Sequence, residues 1–503
     1  KEVLQLMAYA EEFVNHIQAE MYRIYDHQVS VMAWSDYEMY TYLMENECAA
    51  KRLIYQNAEI NGFDEETIIK GFFKGEIQKD SGKARLIQNL GESANFSVQK
   101  IYTPLKKQVF EKLEWFSPGK TPNHIASQVM DLAKRGKGLS AGDFEAMDSG
   151  YTTLARDIAI YIVGNFVDDK RIFRQLDLNL RKSVGRLGGW HWNIGDMTSS
   201  GHPHTTLENT VICAFISYVA LRKKYCNLKS EVAYSKLGVY SGDDSLNETL
   251  PNLSQIAAKF GFILKSEEFP ADQLSSNRVF PTYLGRIYID PLRSPSSIQD
   301  LGRTLPKFCF SFSQGNEKQA AVNKASGLLV SNERTPVLKD LCRLVLESYP
   351  EYRPKKHLDR DFWFKTEVLL KGGSYPQLDD HIDLYYSAAA QSIGCSITVL
   401  ESAIDRLSRW KSVKDFDFLF GLKAAGMGSI RQHLALNKVP SNITVIYRDM
   451  PFAGSRRPIS LTTRIYFEWA KRKVEKAFDV RPIKGNKSSW SKQIEMPPEC
   501  ISE

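Results

Sequence analysis

Cysteine is scarce and scattered in this chain, and long apolar runs are missing. The seven cysteines stand at 48, 213, 226, 309, 342, 395 and 500. None forms a CxxC pair and no His/Cys cluster has zinc-finger spacing, which argues against a zinc module. An odd, dispersed set also argues against a disulfide framework and for reduced thiols in a cytosol-like compartment. The longest apolar run in a helical pattern, "VICAFISYVAL", falls short of the ~20 residues that a bilayer-spanning helix needs. No signal-peptide pattern, internal repeat or low-complexity tract is present. Charge is not strongly one-sided either. The 66 Lys+Arg against 59 Asp+Glu leave +7, a mild excess that suits a polyanionic partner without requiring one. The opening "KEVLQLMAYA" lacks an initiator Met, as expected of a piece of a longer protein with targeting or membrane segments elsewhere.

What is present is ordinary globular composition: 503 residues, 43% hydrophobic and 25% charged, enough chain for several subdomains around a substantial core. "KEVLQLMAYAEEFVNHIQAEMYRIY" carries apolar residues at helical spacing without Gly or Pro. Leu154, Ile158, Ile162 and Phe166 predict one buried helix face, and Leu207, Val211, Phe215 and Val219 another. "KGLSAGDFEAMDSG" reads as a strand running into a turn. "KLGVY" and "SLN" read as two strands joined at "SGDD". "LSQIAAKFGFILK" predicts a helix that stops at Gly261 and leads into a further strand. Beyond residue 300 the pattern is mostly helical, with "TTRIYFEWAKRKVEKAF" basic on one face. The fold class is therefore α/β (α+β), a mixed middle flanked by helical regions.

Chemistry concentrates in four segments. Asp243 and Asp244 are adjacent like charges, and such a pair needs a reason. An ordinary acidic hairpin turn is one, since Gly-Asp-Asp arises by accident in about one chain of this length in ten. A metal site is the other. Asp143, at a strand end a hundred residues upstream, and Asp148 beyond it supply further carboxylates. Carboxylates at a strand end and at a hairpin tip can face each other across neighbouring strands and hold two divalent cations about 3.5–4 Å apart. Mg²⁺ favours such hard oxygen ligands and takes one or two carboxylates plus substrate phosphates.

The third segment is "SSGHPHTTLENT". Ser200-Gly201 permits a flexible loop, and Thr205 and Asn209 sit one helical turn apart. The Asn209 amide can read a hydroxyl, and the 2′-OH is the handle that separates ribonucleotides from deoxyribonucleotides. A solvated Asn209 behind a helix N-terminal loop is the bland alternative. In the fourth, "FKGEIQKDSGKARLI", Lys74, Lys79, Lys83 and Arg85 are suited to a triphosphate, or are simply a solvated basic loop.

In this order the segments resemble the motif set of RNA-dependent RNA polymerases of positive-strand RNA viruses. "KGEIQKDSGKARLI" resembles the fingers motif that holds the triphosphate, and "DFEAMD" the first palm motif, Asp-x4-Asp. "SGHPHTTLEN" matches the second, Ser-Gly-x3-Thr-x3-Asn, at every defining position, and "SGDD" the third. The form of the second motif and "YSGDDS" are most similar to nodavirus-like and tombusvirus-like enzymes. "AAKFGFILKSEE" resembles the fourth palm motif through Lys265, and "FPTYLGRIY" the primer grip through Leu284, Gly285 and Arg286. The resemblance runs from 74 to about 290.

It implies a right-hand polymerase with a palm sheet, fingers and a mostly helical thumb. An N-terminal extension and fingers would fill 1–135, the palm 136–290 with a fingers insertion around 165–195, the thumb 291–485 and a flexible tail 486–503. The implied reaction is template-directed nucleotidyl transfer to an RNA 3′-OH. Asp143, Asp243 and Asp244 would hold two Mg²⁺, with Mn²⁺ as a substitute. Lys74, Lys79, Lys83 and Arg85 would grip the nucleotide, and Lys265 would act as general acid. Asp148 and Asn209 would read the ribose, positioned by Ser200, Gly201 and Thr205. Implied partners are the RNA template and nascent strand, ribonucleoside triphosphates, viral or host replication proteins, a membrane reached through flanking regions, and further copies of the chain. The implied place is the host cytoplasm at membrane-associated replication complexes. A reverse transcriptase-like palm enzyme and a non-catalytic RNA-binding replication scaffold are the competing readings.

Overall fold

The computed structural model describes residues 2–46, 56, 68–73, 77–79, 86–187, 190–225, 229–308, 317–354, 374–379, 381–410 and 443–445. In chain order the helices are α1 (Glu2–Tyr25), α2 (Asp36–Asn46), α3 (Glu92–Gln108), α4 (Pro122–Lys134), α5 (Thr153–Gly164), α6 (Lys170–Arg181), α7 (Thr205–Lys224) and α8 (Ser230–Ser235). They continue with α9 (Leu253–Lys259), α10 (Ala271–Ser275), α11 (Leu301–Phe308), α12 (Glu317–Leu329), α13 (Leu338–Ser348), α14 (Ile382–Ile393) and α15 (Ile397–Ser408). The strands are β1 (Ile68–Phe73), β2 (Ile77–Lys79), β3 (Leu86–Leu90), β4 (Leu139–Glu145), β5 (Val184–Leu187), β6 (Trp190–Asn193) and β7 (Val239–Ser241). Then follow β8 (Asp244–Glu248), β9 (Ile263–Phe269), β10 (Thr282–Tyr283), β11 (Arg286–Tyr288), β12 (Ser297–Gln299) and β13 (Ile443–Val445). The mixed helix-and-sheet class read from the sequence holds.

The central sheet runs β7-β8-β4-β9, antiparallel throughout. Side chains alternate faces along a strand. Leu139 and Ala141 on β4 therefore point with Val239 and Leu246 into one apolar layer, which α4 covers with Ile125, Val129 and Leu132. Phe144, Tyr240 and Leu264 point the other way, into the largest core, where α1, α5, α7 and α9 lie. Asp143, Asp244 and Lys265 share the α4-side face because Asp143 is in register with both partners. They sit at the end of the sheet where that apolar layer stops.

The sequence assigned α7 one apolar stripe. The helix is instead buried almost all round, Thr205 and Leu207 through Leu221, as happens when a helix fills the middle of a large core. Helix α9 ends as expected, with Gly261 at φ +91° leading into β9. A second sheet, β3-β1-β5-β6, brings the segment after α6 alongside β1. A third, β10-β11-β12, lies between the α4-side layer and a C-terminal helical cluster of α11 to α15. Among the described residues no helix is long and apolar enough to cross a membrane. The basic stretch after residue 460 and the tail 486–503 lie outside the described residues.

Candidate active site

The β7–β8 turn is a two-residue loop, Gly242-Asp243, closed by the Ser241–Asp244 pair. Gly242 stands at φ +64°, with open space where a Cβ would go, so the need for glycine there is conformational rather than steric. Helix α7 clamps the turn from below. The Gly242 N–H donates to Thr210 Oγ1 at 2.8 Å, and the Cys213 thiol donates to the Gly242 carbonyl at 3.1 Å. The Phe144 N–H donates to the Asp243 carbonyl at 3.3 Å, tying the tip to β4.

Asp143 and Asp244 stand directly opposite on β4 and β8, an arrangement that disfavours two like charges. Both carboxyls are raised, by burial first and by their neighbours second. Burial, with Asp243 and Asp143 adding repulsion, pushes the Asp244 carboxyl up to about 6. Asp143 is raised by burial and by Asp243, against the pull of Lys265 and Arg303. A cation would relieve both. No three His, Cys, Asp or Glu side chains among the described residues form a ready-made ion cage. The donor set still fits Mg²⁺ completed by substrate oxygens, since that ion takes few protein carboxylates and demands hard ligands.

Lys265 lies beside Asp143 in register, largely exposed, with its Nζ 2.9 Å from Glu145 Oε2. That hydrogen bond raises its pKa and keeps it protonated.

Asp148 and Asn209 meet. The Asn209 amide donates to Asp148 Oδ1 at 2.8 Å and accepts from Tyr151 OH at 2.9 Å. Asn209 is only 4% exposed, so the solvated alternative is overturned. Thr205 Oγ1 donates to the Ser199 carbonyl at 2.7 Å, bracing the loop ahead of α7. Ser200 and Gly201 dock that loop on β3. Ser200 Oγ donates to the Leu86 carbonyl at 3.3 Å, and the Gly201 N–H to the Gln88 carbonyl at 2.9 Å. The strand that follows the basic run in sequence, β3, thus flanks the loop. Lys74, Lys83 and Arg85 lie outside the described residues, and of Lys79 only the backbone, in β2, is described.

The residues assigned to the primer grip, Leu284, Gly285 and Arg286, divide. Leu284 and Gly285, at φ +51° and +72°, form the two-residue hairpin turn between β10 and β11. Arg286 was expected to face a nucleic-acid strand with them. It is 3% exposed and turned inward, donating from Nε to Ser297 Oγ (3.1 Å), from Nη1 to Asn332 Oδ1 (2.9 Å) and from Nη2 to the Ser297 carbonyl (2.6 Å). The reason is positional: a residue that closes the hairpin inside a covered sheet cannot also reach the surface.

Sequence reasoning missed a buried network behind the Asp148–Asn209 pair. Arg156, 2% exposed, donates to Asp177 Oδ1 from Nε (2.9 Å) and Nη2 (2.7 Å). Its Nη1 donates to Glu208 Oε2 (2.6 Å) and Thr198 Oγ1 (3.0 Å). Tyr102 OH donates to Glu208 Oε1 at 2.7 Å. A signal was there: Arg156 and Glu208 lie within largely apolar helical patterns, and a buried charge must be paired.

No protein-family model matches the chain. Among curated proteins, the RNA-directed RNA polymerase of Nodamura virus (strain Mag115) is 28% identical over 363 residues, covering 68% of this chain and 34% of that protein. That of Macrobrachium rosenbergii nodavirus is 28% identical over 371 residues, 69% of this chain and 34% of that protein. The chain is thus similar to nodavirus RNA-directed RNA polymerases and spans about a third of the length of these relatives. Among solved structures, the insertion-loop deletion mutant of the RNA-dependent RNA polymerase of a human picorbirnavirus aligns with a TM-score of 0.48 and 12% identity, covering 81% of this chain and 78% of that one.

Proposed function

We propose that this chain catalyses template-directed RNA synthesis from ribonucleoside triphosphates. The 3′-oxygen of a growing RNA attacks the α-phosphorus of a paired triphosphate, the bond from that phosphorus to the bridging oxygen breaks, and pyrophosphate leaves. The observation that carries the reading is Asp143 facing Asp244 across β4 and β8, with Asp243 at the adjoining turn. Two Mg²⁺ (or Mn²⁺) held by these carboxylates and by substrate oxygens would supply the charge that activates the hydroxyl and neutralises the leaving phosphates.

The chain's own residues do the rest by position and charge. Asp148 and Asn209 hold the ribose hydroxyls. Ser200, Gly201 and Thr205 fix the loop that presents them. Lys265, kept protonated by Glu145, donates a proton to the departing pyrophosphate. Lys74, Lys79, Lys83 and Arg85 grip the triphosphate, and Leu284 with Gly285 support the nascent strand. Base sequence is read by Watson–Crick pairing, so the protein contacts backbone and shape. In the right-hand reading, 1–135 form N-terminal extension and fingers, 136–290 the palm, 291–485 the thumb and 486–503 a tail. The setting that fits is viral genome replication in the host cytoplasm at membrane-associated complexes, the membrane reached through regions flanking this chain.

The test is incorporation of labelled ribonucleotides on an RNA template with all four substrates. Mg²⁺ should support it and EDTA abolish it. Asp243→Asn should remove incorporation and leave template binding nearly unchanged. Near-normal extension by that variant would end the two-metal assignment. Equal use of deoxynucleotides by the wild type would favour the reverse transcriptase-like reading instead.

A further inference from the structure

We infer that Arg156 is the positioning residue for ribose recognition, gripping both ends of the Asp148–Asn209 pair from behind. The inference rests on the reading of that pair given above and deepens it.

One end of the pair is held through Thr198. Its N–H donates to the Asp148 carbonyl at 2.8 Å, and its hydroxyl accepts from Arg156 Nη1 at 3.0 Å. The other end is held through Glu208, the residue before Asn209 on α7, whose carboxylate accepts from the same Nη1 at 2.6 Å. One nitrogen therefore ties Thr198, whose backbone holds Asp148, to the helix that carries Asn209. The far edge of the guanidinium is locked by Asp177 on α6, and Asp177 is locked in turn by Arg181 Nε at 2.9 Å. Tyr102 on α3 fills the second oxygen of Glu208.

Arg156 and Arg181 face Asp177 and Glu208, and Arg181 also pairs with Asp157 at 2.6 Å and Asp196 at 2.7 Å on its outer side. His202 and His204 nearby are held neutral, burial pushing both pKa values well below the usual histidine range. A buried ionic set of this kind gives little net stability over an apolar core of equal volume. What it supplies is direction, because a planar five-donor fork admits one arrangement of its acceptors. Side chains from four helices, α3, α5, α6 and α7, converge on it, and the network lies behind the Asp148–Asn209 pair. Arg156 acts through Asp148 and Asn209.

The experiment uses the full chain and reads the ratio of ribonucleotide to deoxyribonucleotide kcat/KM. Arg156→Lys keeps the charge and loses the fork. Thr198→Val removes only the hydroxyl link and leaves both buried carboxylates paired, so it answers the question even where the lysine variant fails to fold. Thr198→Ser restores the hydroxyl. Arg156→Lys and Thr198→Val should each lower discrimination on the order of tenfold. The loss should appear as a raised KM for the ribonucleotide with kcat nearly unchanged, and Thr198→Ser should return the ratio to wild type. Asn209→Ala is the control for the underlying reading. If it lowers discrimination while folded Thr198→Val does not, the inference on Arg156 is wrong and the ribose reading stands. If Asn209→Ala also leaves discrimination unchanged, both fall.

Discussion

Asp244 is a residue placed against its own electrostatic interest, and this makes its cost measurable. Its carboxyl is pushed up to about 6 in the folded chain, from an ordinary value near 4 in the unfolded one. Between those values the folded state binds the extra proton, so stability from this group falls as pH rises from about 4 to about 6. Asn carries no such charge. In EDTA, Asp244→Asn should match the wild type in thermal stability near pH 4 and exceed it by a growing margin up to pH 6, with a plateau above. A margin independent of pH would show that Asp244 is not strained by its neighbours. At this scale the sequence was most legible. Asp143, Asp243, Asp148 and Asn209 were legible through the spacing of their motifs. Arg156 and Glu208 were missed because their partners lie 21 to 106 positions away, and no spacing rule joins them.

Among the elements, the strand–turn–strand around Gly242 and the helix stop at Gly261 could be read because glycine punctuation is local. What could not be read is how the loop before α7 seats on β3, a contact between segments 112 residues apart. Gly201 makes that seat. A Cβ there would lie 2.5 Å from the Gln88 carbonyl oxygen and 3.1 Å from Asn89 Cα, both backbone atoms that cannot swing aside. Gly201→Ala must therefore lift the loop and break the Gly201–Gln88 hydrogen bond, at a cost of about 1–3 kcal/mol. Hydrogen exchange is the measurement. The amide of residue 201 should lose protection, while those of β4 and β8 keep theirs. An unchanged exchange rate at 201 would mean that the loop is seated by other contacts.

Across the whole molecule, the central sheet and the C-terminal helices form separate apolar clusters joined through the β10-β11-β12 sheet. Arg286 sits in that joint, stacked 4.6 Å from the Tyr375 ring, with burial lowering its pKa to about 10. Among the described residues no carboxylate lies within ion-pair distance of it. The sequence could not show this, since an arginine beside a Leu-Gly turn reads equally well as a surface cation. Its acceptors are shared: Gln377 Nε2 also reaches the Ser297 carbonyl at 2.8 Å, and the Gln299 N–H also reaches Asn332 Oδ1 at 3.2 Å. Removing the guanidinium therefore leaves those two oxygens satisfied. Arg286→Met gives up charge-assisted bonds worth roughly 1.5–3 kcal/mol apiece but also removes a buried, unpaired cation whose desolvation costs several kcal/mol, so the net loss should stay within about 1–3 kcal/mol. Arg286→Lys keeps the buried charge, cannot span three acceptors and loses the planar stack, so it should be the less stable variant. Denaturant unfolding should rank wild type above Met above Lys, with the extra exchange confined to α11–α14. A methionine variant that fell below the lysine one would mean that the charge itself, rather than the fork's geometry, holds the two clusters together.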